Sequence, residues 1–324
     1  MDQGRYEEMR TAIVTGAGGF LGSNMVKYLS EKTDFEILSI AQHPLKRDRF
    51  ERESIIVLNL LGTDLFRQVL QIAKINKNDW VFDFASVVGG FRFLRDCSAE
   101  IMYESTIMNL NVLEEARQAG VGKIMFASSA CVYPSTDKGL FTEADAYPIN
   151  PENDYGLQKI YMERLYTQYL NRYGLKVYLP RFQNVYGPYI QYNGPRAKGL
   201  ADICRKVMEA EEGGEIEIFG DGNQIRDYTF AEDAMDGVLK LMNTEVHTPV
   251  NISSGKAITI NDYVKEIISV LGKKVTIKHT EEKDVGVRMR VSANDKAREI
   301  GWVPNTPLSV GIKKMTDWMR KDMK

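Results

Sequence analysis

The sequence predicts an α/β fold, a doubly wound parallel sheet with a smaller C-terminal domain. Two observations carry the prediction: short β-rich runs alternate with longer amphipathic segments through the first half, and a glycine-rich turn joins the first run to the first amphipathic segment. A third marks where the sheet gives way. From Val185 onward the texture changes to Tyr, Gly and Pro, as in Tyr186-Gly187-Pro188-Tyr189 and Tyr192-Asn193-Gly194-Pro195, which is typical of a long functional loop.

Residues 11–15 (Thr-Ala-Ile-Val-Thr) predict the first strand, and residues 36–40, 55–59, 80–85, 123–128 and 176–181 predict five more. Helices are expected between them over residues 21–30, 65–75, 98–119 and 154–173. Residues 229–242 read as a strand end followed by a helix, and after Val250 short elements alternate up to a helix carrying Trp318. With 324 residues, 44% of them hydrophobic, the chain can bury a full core as one large domain or two interlocked ones. The expected division is residues 1–183 plus 227–250 for the sheet domain and residues 184–226 plus 251–324 for the smaller one. There is no internal repeat.

The bulk numbers exclude several classes of function. A net charge of −2 and a pI of about 6.1 point to no nucleic-acid or anionic-membrane partner. No run approaches the ~20 apolar residues of a membrane helix, and residues 1–10 are charged, so a soluble, unprocessed, cytoplasmic protein is expected. Cys97, Cys131 and Cys204 lack metal-site or redox-motif spacing, so neither a disulfide framework nor a metal site is expected. Cys97 and Cys204 read as structural, and His43, His247 and His279 as loop residues without a role.

Gly16, Gly19 and Gly22, with Phe20 and Leu21 opening the helix, sit directly between the first strand and the first helix. Glycine permits the tight turn, lets backbone N–H groups approach a pyrophosphate, and lets the helix pack closely on the strand. This predicts a dinucleotide site on a Rossmann sheet, with Asn59 and Ala85 at later strand ends beside it. The acidic residue that usually binds the adenosine ribose is missing from Ile40-Ala41-Gln42-His43. Gln42 is positioned to bond that ribose in its place. Because Lys46, Arg47 and Arg49 follow, NAD is expected with NADP left open.

Tyr155 and Lys159 lie four residues apart and so share one helix face. There the ammonium is expected to favour the phenolate, letting Tyr155 exchange a proton with a sugar hydroxyl while hydride leaves the same carbon, with Ser129 bonding that oxygen. Tyr133 reads as packing.

The glycine turn, Ser129 and the Tyr155/Lys159 pair together resemble the extended short-chain dehydrogenase/reductase superfamily, over nearly the whole chain. Residues 220–228 resemble its sugar-nucleotide diphosphate segment, and Gly301-Trp302-Val303-Pro304 through Trp318 its C-terminal helix. Within it the chain is similar to the GDP-mannose 3,5-epimerases at residues 89–94, 127–134, 194–198, 204–206 and 286–290, the last being Gly286-Val287-Arg288-Met289-Arg290. The resemblance implies a nucleotide-diphosphate-sugar substrate, GDP-linked. It makes Cys131 and Lys198 an acid/base pair beside Ser129, Tyr155 and Lys159. It also makes Gly89, Gly90, Asn184, Lys206 and Gln224 substrate contacts, Arg226 and Arg288 phosphate contacts, and residues 98–119 and 154–173 the helices of a homodimer. The chain departs from the pattern at Ala41, at Ala197, where an acidic residue precedes the catalytic lysine, and at Arg92, where a glycine lies near the sugar.

The chemistry agrees with the resemblance. Once C4 is a ketone the C3 and C5 protons become acidic enough for side-chain bases, and a thiol and a lysine are plausible partners for that exchange. Three other functions remain open: C4 epimerisation of a UDP-hexose without ring-proton exchange, net C4 dehydrogenation, and nucleotide sensing without chemistry. A 4,6-dehydratase fits less well, because Ser129-Ala130-Cys131 stands where that branch carries Thr-Asp-Glu.

Overall fold

The computed structural model describes residues 10–45, 47–62, 64–136, 139–281 and 287–324; residues 1–9, Lys46 and Gly286 lie outside the described residues. β1 (Thr11–Thr15), β2 (Glu36–Ala41), β3 (Glu53–Val57), β4 (Trp80–Asp83), β5 (Lys123–Phe126) and β8 (Lys176–Tyr178) form a six-stranded parallel sheet in the order β3-β2-β1-β4-β5-β8. The chain winds outward from β1 to β3 and returns to place β4 beside β1. Between those two strands the winding reverses and a crevice opens at their carboxyl ends.

Both faces of the sheet are covered, which is why its strands read as continuous apolar runs. Ala12 and Val14 face a layer with α1 (Phe20–Lys32) and α7 (Ala231–Met242), where Met25, Leu29 and Val238 are buried. Ile13 points the other way, toward α2 (Asp64–Ile72), α4 (Ser98–Ala119) and α5 (Asp154–Tyr173), whose Phe66, Val112, Met162 and Tyr166 close the second layer. Asn153 starts α5 by accepting from the Gly156 amide at 2.9 Å.

The expected strands differ from the observed ones at their ends. β3 begins two residues early at Glu53, the one buried residue of this edge strand, which Arg47 holds bidentate at 2.7 and 2.9 Å. β4 stops at Asp83, and α2 stops at Ile72 rather than residue 75. The expected fifth and sixth strands each divide. β6 (Ser128–Ser129) leaves the main sheet to pair with β9 (Pro180–Phe182), which also pairs with β14 (Val250–Ile252). Pro180 has no N–H to give to a ladder, and the break falls just before it.

β7 (Leu140–Phe141), β12 (Ile225–Arg226), β15 (Ile258–Thr259) and β17 (Met289–Ser292) form a four-stranded sheet in the order β15-β12-β17-β7. β10 (Val185–Tyr186) pairs with β13 (Thr229–Phe230), and β11 (Glu215–Phe219) with β16 (Thr276–Thr280), which carries His279 in a strand rather than a loop. α6 (Gly199–Glu209), α8 (Ile260–Leu271) and α10 (Leu308–Asp322) share a further core containing Tyr186, Cys204, Ile216, Tyr263 and Met315. The C-terminal part is tied to the sheet by Trp302, fully buried, whose indole N–H donates to the Asp233 carbonyl at 2.9 Å. α3 (Phe91–Asp96) and α9 (Asp295–Glu299) complete the described α-helices, and 3-10 turns cover Ala130–Val132 and Glu143–Ala146. Among the described residues no helix is long and apolar enough to cross a membrane.

Candidate active site

The crevice at the carboxyl end of β1 is floored by the glycine turn. Gly16 takes φ +64°, and a Cβ on Gly22 would stand 2.2 Å from the Gly16 carbonyl oxygen, so only glycine lets α1 start this close to the strand. Gly19 precedes α1 with no side-chain cap, which leaves the first amides, those of Phe20 and Leu21 among them, aimed outward for an anion. Ala85 is buried under the same crevice, its N–H given to Thr15 and Asp83. These residues fit a dinucleotide pyrophosphate.

At the ribose end the structure accounts for one of the three basic residues that follow β2. Arg47 is consumed by Glu53 and stands 4.5 Å over the Phe50 ring, so it is not free to meet a 2′-phosphate. Gln42 is exposed at the end of β2, where a ribose would pass. Asn59 is exposed as well, with its side-chain oxygen taken by the Leu61 amide at 3.0 Å.

Ser129, Cys131, Tyr155 and Lys159 converge because the turn after β6 lies directly on the start of α5. A Cβ on Gly156 would sit 1.9 Å from the Cys131 carbonyl oxygen, so the glycine between Tyr155 and Lys159 is what allows the contact. Ser129 accepts from the Cys131 amide at 3.1 Å and lies close enough to the Tyr155 phenol to influence its ionisation. Lys159 is 2% exposed, with its ammonium 4.6 Å from the Phe126 ring centroid and 5.5 Å from that of Tyr155.

The sequence-based expectation that Lys159 holds the Tyr155 phenol down is corrected here. Burial pushes the phenol up, Cys131 adds to the rise, and only Ser129 opposes it. Burial likewise lowers Lys159 to about 8, against the pull of Asp83, Glu163 and Cys131. The protein alone therefore keeps Tyr155 protonated.

Lys198 arrives from the loop before α6 and donates to the Gly89 carbonyl at 2.7 Å. Gly90 makes room for it, since a Cβ there would lie 2.2 Å from the Ala197 carbonyl oxygen. Burial lowers Lys198 to about 8, and the nearby Cys131 sulfur works the other way.

The expected substrate contacts are more scattered. Gln224 is buried with its side-chain oxygen unpartnered, which suits a polar ligand. Asn184, at φ +22°, donates to the Asp227 carbonyl at 3.0 Å. Lys206 is held by Asp202 at 3.3 Å and stands 5.1 Å over Phe219, whose ring also carries Arg92 at 4.6 Å. Arg226 is half-buried on β12, whereas Arg288 is exposed, with Asp221 in its field. Tyr133 is buried and stacked on Phe141 at 5.0 Å.

Two groups around the site were not found from sequence, Arg290 beside Cys131 and Glu163 beneath Lys159. Arg290, the register partner of Arg226, donates to the sulfur at 3.7 Å and pairs with Glu152 at 2.6 Å. In sequence it reads as one more cation in a basic stretch. Beneath Lys159, Glu163 forms a buried bidentate pair with Arg181 at 2.7 and 2.8 Å; its place four residues after Lys159 was the one available signal.

Comparison with known proteins places these features among related chains. The NAD dependent epimerase/dehydratase family matches residues 12–253. The chain is 32% identical to the GDP-mannose 3,5-epimerase of Arabidopsis thaliana, over 96% of this chain and 82% of that protein. It is 28% identical to the GDP-L-colitose synthase of Yersinia pseudotuberculosis, over 93% and 95%. Among solved structures, the UDP-glucose 4-epimerase of Thermotoga maritima with UDP-glucose superposes with a TM-score of 0.85 at 25% identity, covering 97% of this chain and 100% of that one.

Proposed function

The chain belongs to the NAD dependent epimerase/dehydratase family, and from that premise we propose that it is a GDP-mannose 3,5-epimerase-like enzyme, an NAD-dependent nucleotide-sugar epimerase that exchanges ring protons at C3 and C5. The observation that carries the proposal is the meeting of Cys131 and Lys198, brought from two elements, with Tyr155 and Lys159 in one cluster. A C4 epimerase that only returns its hydride has no use for the first two.

NAD, when bound on the glycine turn, supplies the acceptor and then the donor of the C4 hydride. The chain's residues do the rest. Tyr155 exchanges the C4 hydroxyl proton, Ser129 bonds the same oxygen, and Lys159 presents a cation below them. With C4 as a ketone, Cys131 takes or gives one ring proton and Lys198 the other. Arg226 and Arg288 hold the diphosphate of a GDP-sugar, with Asn184, Lys206 and Gln224 along the nucleotide and Gly89 and Gly90 beside the sugar.

Residues 1–183 plus 227–250 form the NAD-binding domain and residues 184–226 plus 251–324 the nucleotide-sugar-binding domain. The three cysteines are unbridged, in keeping with a cytoplasmic setting. Tyr103, Leu157, Tyr161 and Tyr173 are exposed along α4 and α5 and form the apolar seam of a homodimer. The test is a panel of GDP- and UDP-sugars with the wild type and with Cys131→Ala. Conversion of GDP-mannose by the first and not the second is expected; equal conversion by both refutes the acid/base role of Cys131.

A further inference from the structure

The Cys131 sulfur has a neighbour that hydride transfer does not use. Arg290, on β17, donates through Nη1 to Sγ at 3.7 Å, while its Nη2 lies 2.6 Å from Glu152 Oε2. The two side chains are 9% and 13% exposed; the Nη2 contact with Glu152 is an ion pair without hydrogen-bond alignment, and Nε has no hydrogen-bond partner either. A guanidinium this deep is costly unless paired, and a carboxylate on one side with a sulfur on the other is the pairing it has. Its fork geometry lets one side chain reach both at once, which a lysine ammonium does less well.

Other groups face the sulfur from every side. Tyr155 and Lys159 come from α5, Lys198 from the loop before α6, and Arg226 from β12, the strand in register with β17. Glu152 precedes α5 and faces both arginines. Tyr155 carries no positive charge, Lys198 is tied to Gly89, and Arg226 turns its Nη1 to the Ile225 carbonyl at 2.8 Å. Arg290 is the cation whose hydrogen bond runs to the sulfur itself.

We propose that Arg290, held by Glu152, is a positioning residue that gives the Cys131 sulfur a charged hydrogen bond and keeps it ready to accept a ring proton. The proposal rests on the epimerase function above. In the step it serves, a sulfur lone pair forms the S–H bond as the ring C–H bond breaks, and that bond's electron pair moves onto the C4 carbonyl as an enolate; the reverse step returns the proton.

The test needs no turnover. Holoenzyme of the wild type, Arg290→Gln and Arg290→Lys is alkylated with iodoacetamide across the neutral pH range, and the peptides carrying Cys131, Cys97 and Cys204 are quantified by mass spectrometry. Arg290→Gln is expected to slow Cys131 alkylation about tenfold at neutral pH. Arg290→Lys, which keeps the charge and loses the fork, is expected to slow it about threefold. Cys97 should be unchanged and Cys204 protected in all three. A wild-type Cys131 profile in folded Arg290→Gln overturns the proposal. Should that variant not fold, a wild-type profile in Arg290→Lys overturns it equally. A fully active Cys131→Ala enzyme sinks the acid/base function and leaves the alkylation result standing, so the two failures are distinguishable.

Discussion

Gly90→Ala is the most informative single change in the loop that delivers Lys198. Gly90 has φ −72° and ψ 176°, backbone that alanine adopts freely, so the substitution adds no local strain. It adds one methyl, placed 2.2 Å from the Ala197 carbonyl oxygen. That carbonyl has to retreat by roughly 1 Å to reach ordinary contact, and Lys198 is the next residue along. Its 2.7 Å bond to the Gly89 carbonyl then stretches beyond hydrogen-bond range. A misplacement of about 1 Å in a positioned group costs on the order of 10²-fold in rate, or about 2.7 kcal/mol of barrier. The glycine turn under the cofactor lies elsewhere, so NAD retention should be unchanged. The assay is the rate of solvent-deuterium exchange into GDP-mannose at saturating sugar, with NAD content measured in parallel. Exchange at the wild-type rate by a folded Gly90→Ala enzyme refutes the placement of Lys198 as a working acid.

Four further outcomes are expected. Tyr155→Phe should keep NAD and lose turnover by about 10²- to 10⁴-fold, measured as product formed per enzyme; retained turnover assigns the proton to another group. Burial lowers both Lys159 and Lys198 to about 8, so both are cations below that pH and lose their protons above it. The rate should therefore fall on the alkaline side of about pH 8, more steeply than one proton allows, and a flat profile up to the usual lysine range contradicts this. Asp227 is buried and pushed up to about 7, with Ser253, Ser292 and Gly255 opposing the rise, and its Oδ1 has no partner. Its contribution to stability is full below the ordinary carboxylate value and is lost as pH rises through about 7. Asp227→Asn should thus gain on the wild type from acid to neutral pH by at most about 4 kcal/mol in chemical denaturation, and a pH-independent difference refutes it. Tyr161 is 51% exposed on α5, and Tyr161→Glu should convert a dimer to a monomer in sedimentation; a monomeric wild type rules the seam out.

The sheet was legible because its signal is local. Six apolar runs separated by amphipathic segments require parallel strands with helices on both faces, and the observed order follows from that winding. The glycine turn was legible for the same reason, as its three glycines answer steric demands within one short loop. What escaped depended on distant partners. Glu53 is buried at the start of the edge strand β3 with Arg47 folded back on it, and the sixth predicted strand splits where β6 crosses to β9. The Tyr155/Lys159 spacing correctly put both side chains on one face, yet the direction in which the phenol shifts is set by burial, which spacing does not encode. Arg290 had no role in the sequence beyond closing the 286–290 stretch, and gains one only when its strand pairs with the one carrying Arg226 and its guanidinium meets Cys131 and Glu152.

Ring-proton exchange is tested most directly by where solvent hydrogen enters the product. Holoenzyme incubated with GDP-mannose in deuterated water should return epimerised sugar with deuterium on C3 and C5 and the original hydrogen on C4, located by NMR. Product inverted at C4 with no carbon-bound deuterium would contradict the account, leaving Cys131 and Lys198 without a part in the chemistry.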